Sequence, residues 1–198
     1  MIITWFGRGC FRLEGAGRVV VTDPPPGEEG REIARGAHIV TVSDGTPSDL
    51  AGPFVIIGPG EYEVQRTFIK GVATPAVEGA ESNTAYCITF DELTVCHLGA
   101  PGVGLTEAHR DAIGAVDVLL APVTGPPGVT PEAAVDVVNE LEPSFVVPIH
   151  GVDTGHLAQF LREMGADDAV AASMLEVSAL RLPDEAQVRV LELRSGGR

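Results

Sequence analysis

Apolar residues in the first half of the chain recur in short runs that glycines separate. Residues 2–6, 11–14 and 18–22 are rich in β-branched and aromatic side chains, which is typical of strands. The segment Asp23-Pro-Pro-Pro-Gly27 then interrupts the pattern. Further strands are predicted over residues 38–42, 54–57, 67–72, 83–90 and 93–98, the last two as a hairpin.

The second half alternates between apolar runs and helical spacing. Strands are predicted over residues 117–123, 144–149 and 187–193. A short helix is predicted from Thr106, its cap, to about residue 113, and a second begins at Thr130 with Pro131 in the first helical position. A third helix is predicted where apolar residues fall at i, i+3, i+4 and i+7, namely Leu157, Phe160, Leu161 and Met164, with Gly165 just beyond its end.

This order of elements indicates an α/β protein. Many strands early and alternating strands and helices late predict two sheets with helices packed outside them, a four-layer αββα sandwich. A doubly wound parallel sheet is the competing architecture, but the hairpin-rich first half argues against it. A length of 198 residues suits one domain, which we expect to span residues 1–198.

Composition narrows the classes of function. The formal net charge is −15, which disfavours nucleic acid and anionic lipid as partners. The sequence contains no run of about 18 apolar residues, so we expect no membrane-spanning helix. Residues 1–11 do not resemble a secretory signal. We therefore expect a cytoplasmic protein. Three cysteines do not suggest a disulfide framework. A two-residue turn at Asp91-Glu92 would place Cys87 opposite Cys96, as a buried, reduced pair.

Eight short stretches, in order along nearly the whole chain, form a recognisable set: residues 3–7, Cys10-Phe11, Thr22-Asp23-Pro24, residues 58–64, Asn83-Thr84, Cys96-His97-Leu98-Gly99, residues 116–120 and Pro148-Ile149-His150. These stretches resemble those of the metallo-β-lactamase superfamily. The similar branch is the short bacterial one related to ascorbate-6-phosphate lactonases, which are metal-dependent hydrolases. The resemblance implies the metallo-β-lactamase-like αββα sandwich.

The resemblance also implies a metal centre, and here the chain departs from the family. The family holds two zinc or manganese ions that activate a water molecule, through a His-x-His-x-x-x-His or His-x-His-x-Asp-His motif and a later bridging aspartate. The equivalent positions in this chain carry Asp44, Thr46, Asp49 and Ala100. Of the expected ligands, only His150 is retained. We do not count His97 as a ligand, and we expect it to hydrogen-bond in the core.

Two functions follow from these replacements. In the first, the dinuclear centre is lost, no metal or cofactor is expected, and the chain is a hydrolase-like pseudoenzyme that binds a ligand or partner. Arg8, at a family histidine position, would then pair with Asp44 and Asp49, bind a small anion or form an internal salt bridge. In the second, Asp44, Asp49 and His150 form a remodelled zinc or manganese site of a hydrolase.

Some alternatives remain open at this stage. The Asp44 segment also has the composition of a solvated turn, and His150 also suits a structural role at a strand end. Glu61 and Glu63 are expected in a turn. The sequence does not decide whether the protein is an enzyme, or whether it forms a homo-oligomer.

Overall fold

The strands form two mixed sheets that pack face to face, with helices on the outer surfaces. The structure is a computed structural model that describes residues 1–46, 49–125, 127–149 and 154–194. The strands are β1 Ile2–Trp5, β2 Phe11–Gly15, β3 Arg18–Thr22, β4 Ile39–Val42, β5 Phe54–Ile57, β6 Gly60–Val64, β7 Thr67–Thr74, β8 Asn83–Phe90, β9 Leu93–His97, β10 Val118–Pro122, β11 Phe145–Ile149, β12 Leu175–Glu176 and β13 Gln187–Val188. The α-helices are α1 Glu28–Ile33, α2 Glu107–Ile113, α3 Pro131–Leu141 and α4 Thr154–Glu163, and a short 3-10 helix covers Ala179–Arg181.

Each sheet combines antiparallel and parallel pairing. The first sheet has the order β12-β1-β2-β3-β4-β5, with parallel pairing from β3 to β5. The second has the order β13-β11-β10-β9-β8-β7-β6, with antiparallel pairing from β6 to β9 and parallel pairing from β9 onward. This architecture confirms the predicted αββα sandwich.

Alternation along the central strands produces separate apolar layers. On β10, Val118 and Leu120 point between the sheets, whereas Leu119 and Ala121 point toward the outer helices. Because β10 is buried on both faces, it reads as a continuous apolar run, as parallel strands commonly do. A third, smaller cluster joins the outer face of the first sheet to α1 through residues such as Val40.

One buried tyrosine connects the two sheets by polar contacts. Tyr86 on β8 is fully buried, and its hydroxyl lies 3.1 Å from the carbonyl oxygen of Val42 and 3.2 Å from that of Gly58. Both carbonyls belong to the region of the first sheet, next to β4 and β5. The sheets are therefore held in register by more than apolar contact.

The predicted helix starts are confirmed in detail. The Thr106 hydroxyl accepts a hydrogen bond from the backbone N–H of His109, and the Thr130 hydroxyl accepts one from Ala133. Ala134 on α3 and Phe160 on α4 are buried against the second sheet, as their spacing predicts. None of the described helices combines the length and the apolar character that crossing a bilayer requires.

Two local predictions need correction, and one helix was not predicted. Residues 60–64 form an edge strand, so Glu61 and Glu63 lie on a strand and not in a turn. Helix α1 was not predicted; it has six residues, includes Gly30 and has no side-chain cap at Gly27. The predicted strand over 187–193 is limited to Gln187–Val188, followed by one isolated bridge from Leu191 to Ala172.

Candidate functional site

Polar residues from both sheets meet where several strands end. Asp23 follows β3, Ser43 follows β4, Asn83 begins β8, His97 ends β9 and Gly99 follows it. We call these five residues the strand-end cluster. Ends of neighbouring strands are where α/β sheets commonly place ligands, so the cluster is the first place to look for chemistry.

Asp23 and Ser43 form the most tightly bonded part of the cluster. The Ser43 backbone N–H donates to Asp23 Oδ1 at 2.7 Å, and the Ser43 hydroxyl donates to Asp23 Oδ2 at 2.5 Å. Burial raises the pKa of Asp23, while His97 and the Ser43 hydrogen bonds oppose that rise. Both carboxylate oxygens are therefore committed to positioning the loop after β4.

Asn83 connects three backbone segments within the same cluster. Its side-chain amide donates to Thr74 Oγ1 at 2.6 Å and to the Leu98 carbonyl at 2.9 Å. Its amide oxygen accepts from the backbone N–H of Ala100 at 2.8 Å. The side chain is almost fully buried, so these bonds form away from water and fix the segment after β9.

Within the cluster, His97 has unusual surroundings for an imidazole. It is fully buried, its Nε2 is 3.9 Å from Asp23 Oδ2, and its ring meets Phe11 edge-on. Neither ring nitrogen has a hydrogen-bond partner among the described residues, contrary to our expectation. Burial lowers the pKa of His97, and the nearby Asp23 carboxylate opposes this only in part.

The pH dependence of stability should therefore carry a signature of His97. The unfolded state binds a proton as the pH falls below 6.5, whereas the folded state keeps this imidazole neutral. Acidification through that range then lowers the free energy of unfolding, by at most about 1.4 kcal/mol per pH unit for one proton. We expect urea unfolding between pH 7.5 and 5 to show a steeper loss in the wild type than in His97→Gln. Parallel profiles would contradict this assignment.

The loop before β2 covers the cluster and carries Arg8. A Cβ on Gly9 would lie 2.8 Å from Asp23 Oδ2 and 3.1 Å from His97 Nε2, so only glycine lets the loop approach this closely. Arg8 is exposed and has a left-handed φ of 47°. Its carbonyl accepts a hydrogen bond from Trp5 Nε1 at 2.8 Å, which fixes the backbone beneath the exposed side chain.

The residues at the expected His-x-His positions belong to a solvent-facing turn. Asp44 and Thr46 are both exposed, and the backbone N–H of Thr46 donates to Asp44 Oδ1 at 2.9 Å. This is an Asx turn, in which the carboxylate satisfies its own backbone. Ser82 adds a hydrogen bond to the Asp44 carbonyl at 3.2 Å.

Asp49 has a cationic partner from an unexpected element. Its carboxylate lies 3.2 Å from Nη1 of Arg31, which is on α1. We expected Arg8 to neutralise these carboxylates, but Arg31 is the cation beside Asp49. This contact could not be predicted from the sequence, because α1 itself was not predicted.

Two predicted site residues remain, Ala100 and His150. Ala100 is exposed and contributes its backbone N–H to Asn83. His150 lies outside the described residues. In the described part of the chain, no three His, Cys, Asp or Glu side chains are grouped so as to hold a metal ion.

Three residues of the strand-end cluster were not singled out from the sequence. Asp23 was quoted only as part of a matching stretch, and Ser43 and Asn83 were given no role. A usable signal existed, since each is a short polar residue at the boundary of an apolar strand. The interaction of Asp23 with Ser43 could not be inferred, because it depends on β3 and β4 being adjacent and parallel.

Two mixed sheets, outer helices and the strand-end cluster define a metallo-β-lactamase-type sandwich. The sequence family described as the beta-lactamase superfamily domain matches residues 2–150. The chain therefore belongs to this family, which confirms the resemblance found in the sequence.

Similar proteins come from bacteria and archaea. A structure from Thermotoga maritima, of a candidate zinc-dependent hydrolase of the metallo-β-lactamase superfamily, is 31% identical, with a TM-score of 0.79 over 96% of this chain and 97% of that one. A UPF0173 protein of Pyrococcus abyssi is 26% identical over 83% of this chain and 90% of its own length. The metallo hydrolase Igni18 from Ignicoccus hospitalis, at 19% identity, has a TM-score of 0.66 over 96% of this chain and 94% of that one, a similarity of fold alone.

Proposed function

We propose that this chain does not use the dinuclear metal centre of its family and instead binds a small anion at Arg8. The observation that carries the proposal is the state of Asp49. The residue at an expected ligand position is engaged by the Arg31 guanidinium at 3.2 Å. Both side chains are exposed, so the pair itself is weak, but the guanidinium places a positive charge beside this carboxylate, which disfavours a second cation there.

The chemistry of the other donors supports the same conclusion. Zinc in hydrolytic sites is bound by imidazole, thiolate and carboxylate groups. Ala100 supplies no donor, and Thr46 supplies a neutral hydroxyl on an exposed turn. Asp23 is already bonded to Ser43 through both oxygens. The donors offered by the described residues therefore do not fit a dinuclear zinc or manganese centre, and we derive no reaction step through one.

Arg8 is the residue that would bind the anion. In a chain of net charge −15, its guanidinium forms no ion pair with any carboxylate in the described part of the structure. Its left-handed backbone costs about 1 kcal/mol that glycine would not incur, and such strain is often retained at functional positions. A planar, permanently charged guanidinium suits carboxylate or phosphate ligands.

The first test measures metal content and anion binding on the full chain. After growth with zinc, manganese and iron, elemental mass spectrometry should find well under one ion per chain. Titration with inorganic phosphate should show saturable binding that weakens about tenfold or more in Arg8→Gln, the loss of one charge-assisted contact. Arg66→Gln is the matched control, because Arg66 is also exposed with a positive φ of 65° but lies in another turn.

Two outcomes would overturn the proposal, each in a different way. One or more tightly held ions per chain, lost in Asp49→Ala or His150→Ala, would establish the remodelled metal site and favour a hydrolase. Phosphate binding that is absent, or equal in the wild type and Arg8→Gln, would remove the role of Arg8 while leaving the metal result to stand by itself.

A further inference from the structure

Two thiols face each other on the surface of the second sheet that packs against α2. Cys87 on β8 and Cys96 on β9 are direct cross-strand partners, with their sulfur atoms 3.6 Å apart. Both are free and buried within the outer apolar cluster. The sequence-based prediction of a facing pair is thereby confirmed, and the pair has no part in the function proposed above.

The hairpin places these two residues at a spacing that a disulfide can bridge. Asp91 and Glu92 form a two-residue turn with φ of 56° and 59°, which makes Phe90 and Leu93 the closing hydrogen-bonded pair. Because pair types alternate along the ladder, Cys87 and Cys96 form a non-hydrogen-bonded pair, with Cα atoms about 4.5 Å apart. That separation falls at the short end of the range that disulfides span, roughly 4.4–6.8 Å.

One of the thiols contributes to the lining of a groove that also contains a cation. Cys87 is among the residues lining a groove of about 420 Å³ beside α2, together with Phe68, Lys70, Ile113 and two glutamates. Lys70, the only lysine of the chain, is the direct partner of Cys87 on β7, and Glu61 pairs with Lys70 from β6. Cys87 is only 5% exposed and Cys96 is fully buried, so Cys87 is the sulfur that a small molecule in the groove would reach first.

Burial and the position of Lys70 distinguish the two sulfurs. The hydrogen bond between the thiols lowers the pKa of Cys87, as does Lys70, against the effect of burial. The pKa of Cys96 is raised by the same hydrogen bond and by burial. Burial also raises the pKa of Cys10, with Asp23 and Glu29 adding to the rise, so the third cysteine is a poor nucleophile.

We propose that Cys87 and Cys96 form a modification site that a small hydroperoxide converts into a cross-strand disulfide. The Cys87 sulfur attacks the terminal peroxide oxygen, the O–O bond breaks, and the departing oxygen takes the thiol proton to leave as alcohol or water. The Cys96 sulfur then attacks the resulting sulfenic acid, and hydroxide leaves with the Cys96 proton as water. Two thiols are oxidised and one peroxide is reduced, so the step balances.

The disulfide would link the strands that border the strand-end cluster. β8 begins at Asn83 and β9 ends at His97, the residue after Cys96. Small thiols reduce a disulfide by thiol–disulfide exchange. The modification is therefore reversible.

The experiment treats the full chain with hydrogen peroxide and then alkylates it with maleimide in denaturant. Intact mass should show one maleimide, on Cys10, and a loss of about 2 Da for the two hydrogens removed by oxidation. Dithiothreitol should restore three labelled cysteines. Cys10→Ser is the matched control and should still lose two hydrogens, whereas Cys87→Ser should not. Lys70→Gln should slow the oxidation several-fold, because it removes the cation beside the attacking sulfur.

Three results would overturn the proposal. These are labelling of all three cysteines after peroxide, a disulfide that joins two chains, or oxidation of Cys87 that stops at the sulfenic acid or passes to higher acids. Because Cys87→Ser changes a buried residue, its circular dichroism melting curve is recorded first. Where this variant does not fold, peptide mapping of the oxidised Cys10→Ser protein identifies the bridge directly: a Cys87–Cys96 peptide supports the proposal, and its absence overturns it.

Discussion

Replacing Asn83 by leucine should lower the free energy of unfolding by about 3–5 kcal/mol. Leucine has the branching and the number of side-chain heavy atoms of asparagine but bulkier methyl groups, so the loss combines missing hydrogen bonds with some overpacking. Three groups would lose their partner: the buried Thr74 hydroxyl and Leu98 carbonyl, and the part-buried Ala100 N–H. Each buried group left unsatisfied costs about 1–3 kcal/mol.

Urea unfolding followed by circular dichroism measures this loss. Asn139→Leu is the matched control, because Asn139 is exposed on α3 and the same substitution there should change stability by less than about 0.5 kcal/mol. A loss of unfolding free energy below about 1 kcal/mol for Asn83→Leu would mean that water or a shifted backbone satisfies the three groups. Asn83 would then not be what stabilises the strand-end cluster.

Replacing Gly99 by alanine should cost about 2–4 kcal/mol, although only one methyl group is added. Gly99 has a φ of 69°, a conformation that costs a residue with a side chain about 1 kcal/mol. The added Cβ would also lie 2.8 Å from Ser43 Cβ and collide with the amide oxygen of Asn83. Overpacking of this kind typically costs a further 1–3 kcal/mol.

Two other glycines separate the conformational cost from the steric one. Gly165→Ala shares the positive φ, at 65°, just after α4, but its Cβ meets nothing within 4 Å, so it should cost only about 1 kcal/mol. Gly104→Ala has neither feature and should be nearly neutral. Equal costs at Gly99 and Gly165, measured by the same unfolding method, would show that the contact with Ser43 and Asn83 relaxes freely.

The parts of the fold that the sequence predicts are those encoded by local pattern. The β8–β9 hairpin follows from apolar runs on either side of Asp91-Glu92, and its register follows from the length of the turn. The helix starts at Thr106 and Thr130 follow from capping chemistry. In each case the decisive residues lie within a few positions of one another.

The elements that escaped prediction lack such local signals. Helix α1 is short, contains a glycine and has no side-chain cap, so neither propensity nor capping marks it. The β6 strand reads Gly-Glu-Tyr-Glu-Val, and its two glutamates face solvent at a sheet edge. Charged residues on an edge strand protect it from pairing with other chains, but in the sequence they resemble a turn.

The candidate site was only partly predictable, for a different reason. The family resemblance identified the positions of Asp44, Asp49 and Ala100, because these depend on aligned residues. What those residues do depends on contacts distant in sequence. The pairing of Asp49 with Arg31 and the packing of Gly9 against His97 are set by the tertiary fold.

The strand-end cluster also couples folding to ligand binding. The Thr84 N–H donates to the Ser43 carbonyl at 2.9 Å, and the Tyr86 hydroxyl lies against the Val42 carbonyl, so the cluster is complete only after the two sheets have docked. A fragment containing one sheet would lack half of the contacts. A ligand that touches both sides binds only the docked state, and it must raise the thermal midpoint of the whole chain, roughly with the logarithm of its concentration above Kd. Thermal melting with a panel of small anions is thus a direct way to search for the natural ligand.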